Sequence, residues 1–273
     1  MQLGEVPDRV ERCSGKGPLW QAGEAEVIIE IPDAAKLHIQ SGTIMIAPDI
    51  KFDQPGLDSI LRKTPLAVLL WLKGWFACQG AAVVGPDGAA VLLGGTVSGK
   101  STLAAVLLQR GLKLLCDDLV VFSLDDWRNP VVHPVWPEMV LWPDAAEHLF
   151  SGKVPNWLHQ RAEDIFTVPY WDVDEAHFCQ KPVPLKAIYC LVPDRLEDEP
   201  VAESMGGLAG LLSGALVPYH GQMARALGKD AIVLKLYAAI SARIAFQKAK
   251  LPFLNLAEQD KLADTVMAHC GWR

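Results

Sequence analysis

Residues 94–101 read Gly94-Gly95-Thr96-Val97-Ser98-Gly99-Lys100-Ser101, and Thr102 follows them. The run fits the pattern G-x-x-x-x-G-K-[ST] of phosphate-binding loops. An apolar run of strand length, 89–93, precedes it, and residues 101–110 form a largely apolar segment of helical length that ends before Gly111. The stretch therefore predicts a strand, a phosphate-binding loop and a helix, as in α/β nucleotide-binding folds.

Each residue type in this loop suits a triphosphate. Glycines let the backbone turn several N–H groups toward phosphate oxygens, and the N-terminus of the following helix adds positive potential. Lys100 can reach the β- and γ-phosphates, and Ser101 can offer its hydroxyl to Mg²⁺. We therefore expect residues 94–102 to bind ATP and Mg²⁺. A chance match is expected roughly once in a hundred such chains, so an accidental loop stays as the alternative.

A pair of acids, Asp117 and Asp118, ends the strand predicted at 112–116 after this helix. Open α/β sheets place ligand-binding groups at the carboxyl ends of their strands. One carboxylate could orient Mg²⁺, and the other could accept the proton of an attacking hydroxyl. Neighbouring strand residues point to opposite faces, so both acids reach the phosphates only where the backbone is already turning. The alternative is a solvated Asp-Asp turn.

Composition narrows the class of protein and its partners. The chain has 273 residues, of which 51% are hydrophobic and 21% charged, as in a globular protein. Its net charge of −7 argues against nucleic acid or an anionic membrane as the main partner. The six cysteines form no C-x-x-C pair, and the longest apolar stretch, 65–84, is interrupted by polar residues. With no signal-peptide pattern at its start, we expect a cytoplasmic protein.

The pattern along the chain indicates three parts. Residues 1–75 are β-rich, although the first 23 read as an irregular lead-in. Residues 76–195 form the nucleotide-binding core, in which one strand at 78–84 makes a hairpin with 89–93 through Pro86-Asp87-Gly88. Residues 196–273 are mostly helical, and we expect them to pack with the core as one compact unit.

The spacing of the loop, of Arg110-Gly111 and of Asp117-Asp118 resembles the HPr kinase/phosphorylase-like family, with likeness over roughly residues 40–195. The resemblance implies that 76–195 are a P-loop kinase core of the type in the HPr kinase C-terminal domain and phosphoenolpyruvate carboxykinase. It implies ATP- and Mg²⁺-dependent phosphorylation of a hydroxyl, often a serine of a peptide or small protein. Some small relatives modify ribosomally made peptides, including lasso-peptide precursors. The larger relatives form hexamers, which leaves a homo-oligomer open here.

The same resemblance implies roles for individual residues. Lys100 and Ser101 hold phosphates and metal, Asp117 is the general base, and Asp118 supports the metal or the incoming hydroxyl. Gln79 stands where the family has a histidine, and it cannot carry the proton or charge of an imidazole. The β-branched Val97 is expected to resist a positive φ. Two alternatives therefore stay open: a small-metabolite kinase, and a non-catalytic nucleotide-binding regulator.

Overall fold

A computed structural model describes residues 1–48, 61–160, 170–194, 201–252 and 258–272. They form a mixed α/β protein with several sheets and helices, as predicted. The chain divides into two compact units, Met1–Ala77 with Pro218–Lys235 and Cys78–Val217 with Leu236–Arg273. Within the described ranges, no helix combines the length and the hydropathy that crossing a bilayer requires.

The described helices and strands alternate along the chain. The helices are α1 (Thr64–Lys73), α2 (Lys100–Gln109), α3 (Pro143–Phe150), α4 (Gly207–Leu212), α5 (Gly221–Ala226), α6 (Asp230–Arg243) and α7 (Glu258–Cys270), with a 3₁₀ turn at Glu175–His177. The strands are β1 (Gln2–Leu3), β2 (Gly15–Gly17), β3 (Trp20–Ala22), β4 (Glu26–Ile31), β5 (Ala35–Gln40), β6 (Thr43–Pro48), β7 (Phe76–Gln79), β8 (Ala81–Gly85), β9 (Gly88–Gly94), β10 (Lys113–Cys116), β11 (Leu119–Leu124), β12 (Pro130–His133), β13 (Glu138–Val140), β14 (Leu158–Gln160), β15 (Tyr170–Val173), β16 (Val183–Asp194), β17 (Val201–Met205) and β18 (Phe246–Pro252).

The first unit is built on a sheet with the strand order β1-β6-β5-β4-β3-β2. Its pairs are antiparallel except for the parallel pair of β1 and β6. Leu37 and Ile39 of β5 are fully buried and alternate with more exposed residues, so one face of the sheet forms the core. The prediction of an irregular lead-in over 1–23 was wrong. Three strands of two or three residues lie there, too short to show a period of two.

The sheet of the second unit sets the direction of the strands that lead to the predicted site. Its strand order is β10-β8-β9-β16-β12-β11-β7, and β18 and β17 extend it from β16. Strand β8 is antiparallel to both β9 and β10, so these two run in the same direction although they are not neighbours. Strand β16 is parallel to β9. The carboxyl ends of β9, β10 and β16 therefore lie at one edge of the sheet.

Helix α2 is buried on nearly all sides, which explains why it is apolar all round. Residues Leu103 to Leu108 are each at most 2% exposed. The residue after the helix, Arg110, donates hydrogen bonds to the carboxylates of Asp260, at 3.2 Å, and Asp264, both on α7. Gly111 then turns the chain with a φ of 90°. In this fold Arg110 holds the end of α2 to α7, and Gly111 ends the helix.

Two further expectations about the strands need correction, and one is confirmed. The strand predicted at 78–84 is two strands divided at Gly80, where an added Cβ would lie 2.8 Å from the carbonyl oxygen of Leu92. Strand β18 begins within the part predicted to be mostly helical. The predicted hairpin is present, since Gly85 pairs with Gly88 between β8 and β9.

Candidate active site

The predicted strand, loop and helix are all present around residues 94–101. Strand β9 is buried up to its last residue, Gly94, and α2 starts at Lys100. Gly94 has a φ of 150°, and an added Cβ would lie 2.6 Å from both the Leu191 carbonyl oxygen and the Ser98 Oγ. Gly99 has a φ of 86° at the start of the helix. Both positions need glycine, the first for space and the second for its left-handed backbone.

Val97 adopts a backbone conformation that its side chain disfavours. We expected it to resist a positive φ, but its φ is 63°. Left-handed backbone costs an L-residue roughly 1–2 kcal/mol, and a β-branched one is a genuine outlier there. The side chain is 66% exposed, so packing offsets little of that cost. The rest of the loop imposes this turn on Val97.

Lys100 is directed into the loop. Its side chain is 8% exposed, and its Nζ donates hydrogen bonds to the carbonyl oxygens of Gly94, at 3.2 Å, and Gly95, at 2.7 Å. Burial lowers the pKa of Lys100, and the negative charges of Asp117 and Asp118 act against that shift. The loop therefore encloses one ammonium group that faces two carboxylates.

A buried hydroxyl inside the loop has no hydrogen-bond partner. Ser98 is 3% exposed, and its Oγ is unsatisfied although its backbone N–H donates to Gly95 O at 3.3 Å. Burying an unpaired hydroxyl costs about 1–3 kcal/mol. An acceptor or donor entering the loop would remove that cost.

Asp117 connects the loop helix to the end of β10. The Ser101 hydroxyl donates to Asp117 Oδ1 at 3.0 Å, and the Val140 backbone N–H donates to Oδ2 at 2.8 Å. Burial raises the pKa of Asp117 to about 6. That value includes the two hydrogen bonds, which lower the pKa, and the nearby charge of Asp118, which raises it. Ser101 and Asp117 meet because β9 and β10 end at the same edge of the sheet.

The backbone turns at Asp118, which is half-buried and has a φ of 67°. Its carbonyl oxygen accepts a hydrogen bond from Gly80 N at 3.3 Å. Gln79, the exposed last residue of β7, is therefore one residue away from a direct backbone contact with Asp118. The turn that both acids would need to face the same ligand is present.

The structure thus brings most of the predicted site residues together. Lys100, Ser101, Asp117 and Asp118 are linked by hydrogen bonds or charge, and Gln79 is linked to Asp118 through Gly80. Of the remaining loop residues, Gly95 and Thr96 are exposed, and Thr102 is buried in the first turn of α2. The backbone N–H of Val140 was not predicted. It lies 23 positions from Asp117, and no local pattern marks such a contact.

The residues present fit a nucleotide phosphate with Mg²⁺. The first amides of α2 have no acceptor within the helix, and the orphaned Ser98 hydroxyl and the Lys100 ammonium lie in the same loop. Mg²⁺ in such sites uses one or two carboxylates together with substrate phosphates. Ser101 and Asp117 would be the protein's groups nearest to it. In the part of the chain that the structure describes, no three His, Cys, Asp or Glu side chains form a metal-ligand cluster.

Comparisons with known proteins do not show the family or the function of this chain. No protein-family model matches the sequence, and no curated protein matches it. One solved structure that aligns with the chain is the HPr(Ser) kinase/phosphatase from Coxiella burnetii. The alignment covers 71% of this chain and 95% of that chain, with 13% sequence identity and a TM-score of 0.37. A likeness at this level establishes neither the role of any residue nor the function.

Proposed function

We propose that the chain is an ATP- and Mg²⁺-dependent kinase that transfers the γ-phosphoryl group to a hydroxyl, with a serine of a peptide or small protein as the acceptor. The observation that supports this most is the 3.0 Å hydrogen bond between Ser101, at the end of a G-x-x-x-x-G-K-S loop, and Asp117 at the end of β10. Phosphate-loop enzymes hold Mg²⁺ with such a serine or threonine and an aspartate. The family resemblance of residues 94–121 supports the same chemistry.

Each side chain of the site has a separate task in this proposal. Lys100 exchanges the carbonyl oxygens of Gly94 and Gly95 for phosphate oxygens, so its charge meets the transferring group. Asp117, with both oxygens engaged, orients the Ser101 hydroxyl for the metal. Asp118, at the turn beside it, accepts the proton of the acceptor hydroxyl. These roles for Asp117 and Asp118 are the reverse of those that the resemblance implied. ATP supplies the phosphoryl group, and Mg²⁺ offsets its charge.

Nucleotide binding and phosphoryl transfer can be tested separately. Calorimetry with ATP and Mg²⁺ should show binding, and Lys100→Met should weaken it. Transfer of labelled phosphate to a serine-peptide library should fall roughly 100-fold in the same variant. Lys113→Met removes an exposed lysine at the start of β10 and should change neither measurement. Wild-type transfer by the Lys100→Met protein would reject the proposal. A gain of one phosphate on small metabolites but on no peptide would favour a metabolite kinase.

A second function, a non-catalytic nucleotide-binding regulator, is favoured by one observation. The residue that the Gly80–Asp118 contact brings beside the acids is Gln79, which cannot act as an imidazole does. A regulator would bind ATP without transferring phosphate to any acceptor. Gln79→His should then create transfer activity, whereas in a working kinase it should change an activity that already exists.

A further inference from the structure

The segment 135–142 is held against the end of β10 by two backbone amides. Val135 N donates to Leu115 O at 3.3 Å, and Val140 N donates to Asp117 Oδ2 at 2.8 Å. The second bond is to a carboxylate oxygen of the candidate site itself. Because Asp118 follows Asp117 directly, the side chains that this segment exposes near Val140 lie close in the fold to the acid that would accept the proton of the acceptor hydroxyl.

One of those side chains is a large aromatic that the fold does not bury. Trp142 is 55% exposed, whereas Leu141 before it is 1% and Ala145 after it is 5% exposed. Trp142 is the residue at the start of α3, with a φ of −67° and a ψ of 149°, and Pro143 follows it. Because the buried Leu141 precedes it and the ring of Pro143 follows it, the backbone at Trp142 has little freedom and the indole starts from a fixed position.

The short stretch of chain between Val140, which contacts Asp117, and Trp142 limits how far the indole can lie from the site. Two residues span at most about 7 Å of extended chain, so the Trp142 backbone remains close to the Asp117 carboxylate. A serine that delivers its hydroxyl to this pair of acids would place the side chains one or two positions away from it within reach of the indole. The adenine of ATP lies at the other end of the triphosphate from the γ-phosphoryl group, and therefore farther from the acids.

We propose that Trp142 is a specificity-determining residue that binds an apolar side chain of the acceptor peptide, one or two positions from the phosphorylated serine. The inference rests on the proposed kinase function and adds the substrate class to it. An exposed indole offers a flat apolar surface of a size that aliphatic and aromatic side chains cover well. It offers little to a small hydrophilic metabolite.

The test compares Trp142→Ala with Trp127→Ala on the full chain. Trp127 is 83% exposed at the tip of the β11–β12 hairpin and serves as the matched control. Peptides that vary at the two positions on each side of a serine are phosphorylated with ATP, and KM for peptide and for ATP are measured separately. We expect Trp142→Ala to raise the peptide KM about tenfold and to remove a preference for Leu or Phe. The ATP KM should not change, and Trp142→Phe should restore part of the preference.

Each other outcome overturns the inference in a recognisable way. An unchanged peptide KM and preference in Trp142→Ala would overturn it while leaving the kinase function in place. A raised ATP KM with an unchanged peptide KM would mean that the indole binds the nucleotide base. Equal effects of Trp142→Ala and Trp127→Ala would mean that neither acts through the site. A wild-type protein that binds ATP but phosphorylates no peptide would overturn both the inference and the peptide-kinase function.

Discussion

Replacing Asp117 by asparagine should stabilise the nucleotide-free protein at neutral pH. The carboxylate is ionised at that pH, yet burial raises its pKa from 3.8 to about 6. An asparagine of the same shape can accept the Val140 N–H with its oxygen and donate to Ser101 Oγ with its nitrogen. The substitution therefore removes the buried charge while both neighbours keep a hydrogen bond.

The size and sign of the effect follow from the difference in pKa between the folded and unfolded chain. The folded pKa is higher, so the stability from this group is present below about pH 4 and is lost as the pH rises through about 6. A difference of about two pKa units corresponds to about 3 kcal/mol, and we expect about 2 to 3 kcal/mol because the residue is half-buried. About 1 kcal/mol of that is already lost by pH 4.5, so Asp117→Asn should gain about 1 to 2 kcal/mol on the wild type between pH 4.5 and 7.5.

Urea unfolding of both proteins in EDTA between pH 3 and 7.5 measures the difference directly, because other titrating groups cancel. Asp87→Asn provides a control of opposite sign. Hydrogen bonds from Lys186, at 2.5 Å, and Trp272, at 2.6 Å, lower the pKa of Asp87, so its loss should cost more stability as the pH rises from 3 to 5. A stability difference between Asp117→Asn and the wild type that is equal at pH 4.5 and 7.5 would refute the reasoning about the buried charge.

Three further substitutions test the loop and the core by urea unfolding. Val97→Gly should raise the free energy of unfolding by about 1 kcal/mol, because the backbone strain removed at a φ of 63° exceeds the entropy that glycine adds to the unfolded chain. A lower free energy of unfolding in this variant would mean that the loop is not strained. Arg110→Ala should lower the free energy of unfolding by about 1–2 kcal/mol, because the hydrogen bonds to two aspartates of α7 are lost, and Arg110→Lys should keep part of that stability. An unchanged free energy of unfolding in Arg110→Ala would show that α7 packs without this residue. Gly210→Ala should lower the free energy of unfolding by more than about 1 kcal/mol although alanine favours helix, because the added Cβ would overlap the Phe246 ring. Its control is Ala209→Gly at the exposed neighbouring position, which should lower the free energy of unfolding only by the difference in helix propensity.

The elements around the loop were predictable because they depend on neighbours in the chain. A buried strand ending in Gly94, glycines at 94 and 99, and an apolar run after Lys100 are all visible in a window of about twenty residues. The hairpin through Asp87 was predictable for the same reason. The short strands before Ala22 were not, since their pairing with one another and with β4 and β6 is what makes them strands.

The sequence identified Asp117 and Asp118 as a pair but not what each of them contacts. Ser101 reaches Asp117 because β8 runs between β9 and β10 in the opposite direction, which aligns the ends of the outer two strands. The Val140 amide and the exposure of Trp142 depend on how the segment 135–142 returns to β10. Contacts between residues this far apart in the sequence produce no periodic pattern from which they could be predicted.

The sequence by itself thus determined which chemical groups occur and in which local element: glycine where the backbone must turn, lysine and serine at the start of an apolar helix, and acids after a strand. The assignment of those groups to one another arose from packing. Strand order and the burial of the Asp117 carboxylate result from apolar surfaces that meet across the sheet, and that free energy is shared by residues far apart in the chain.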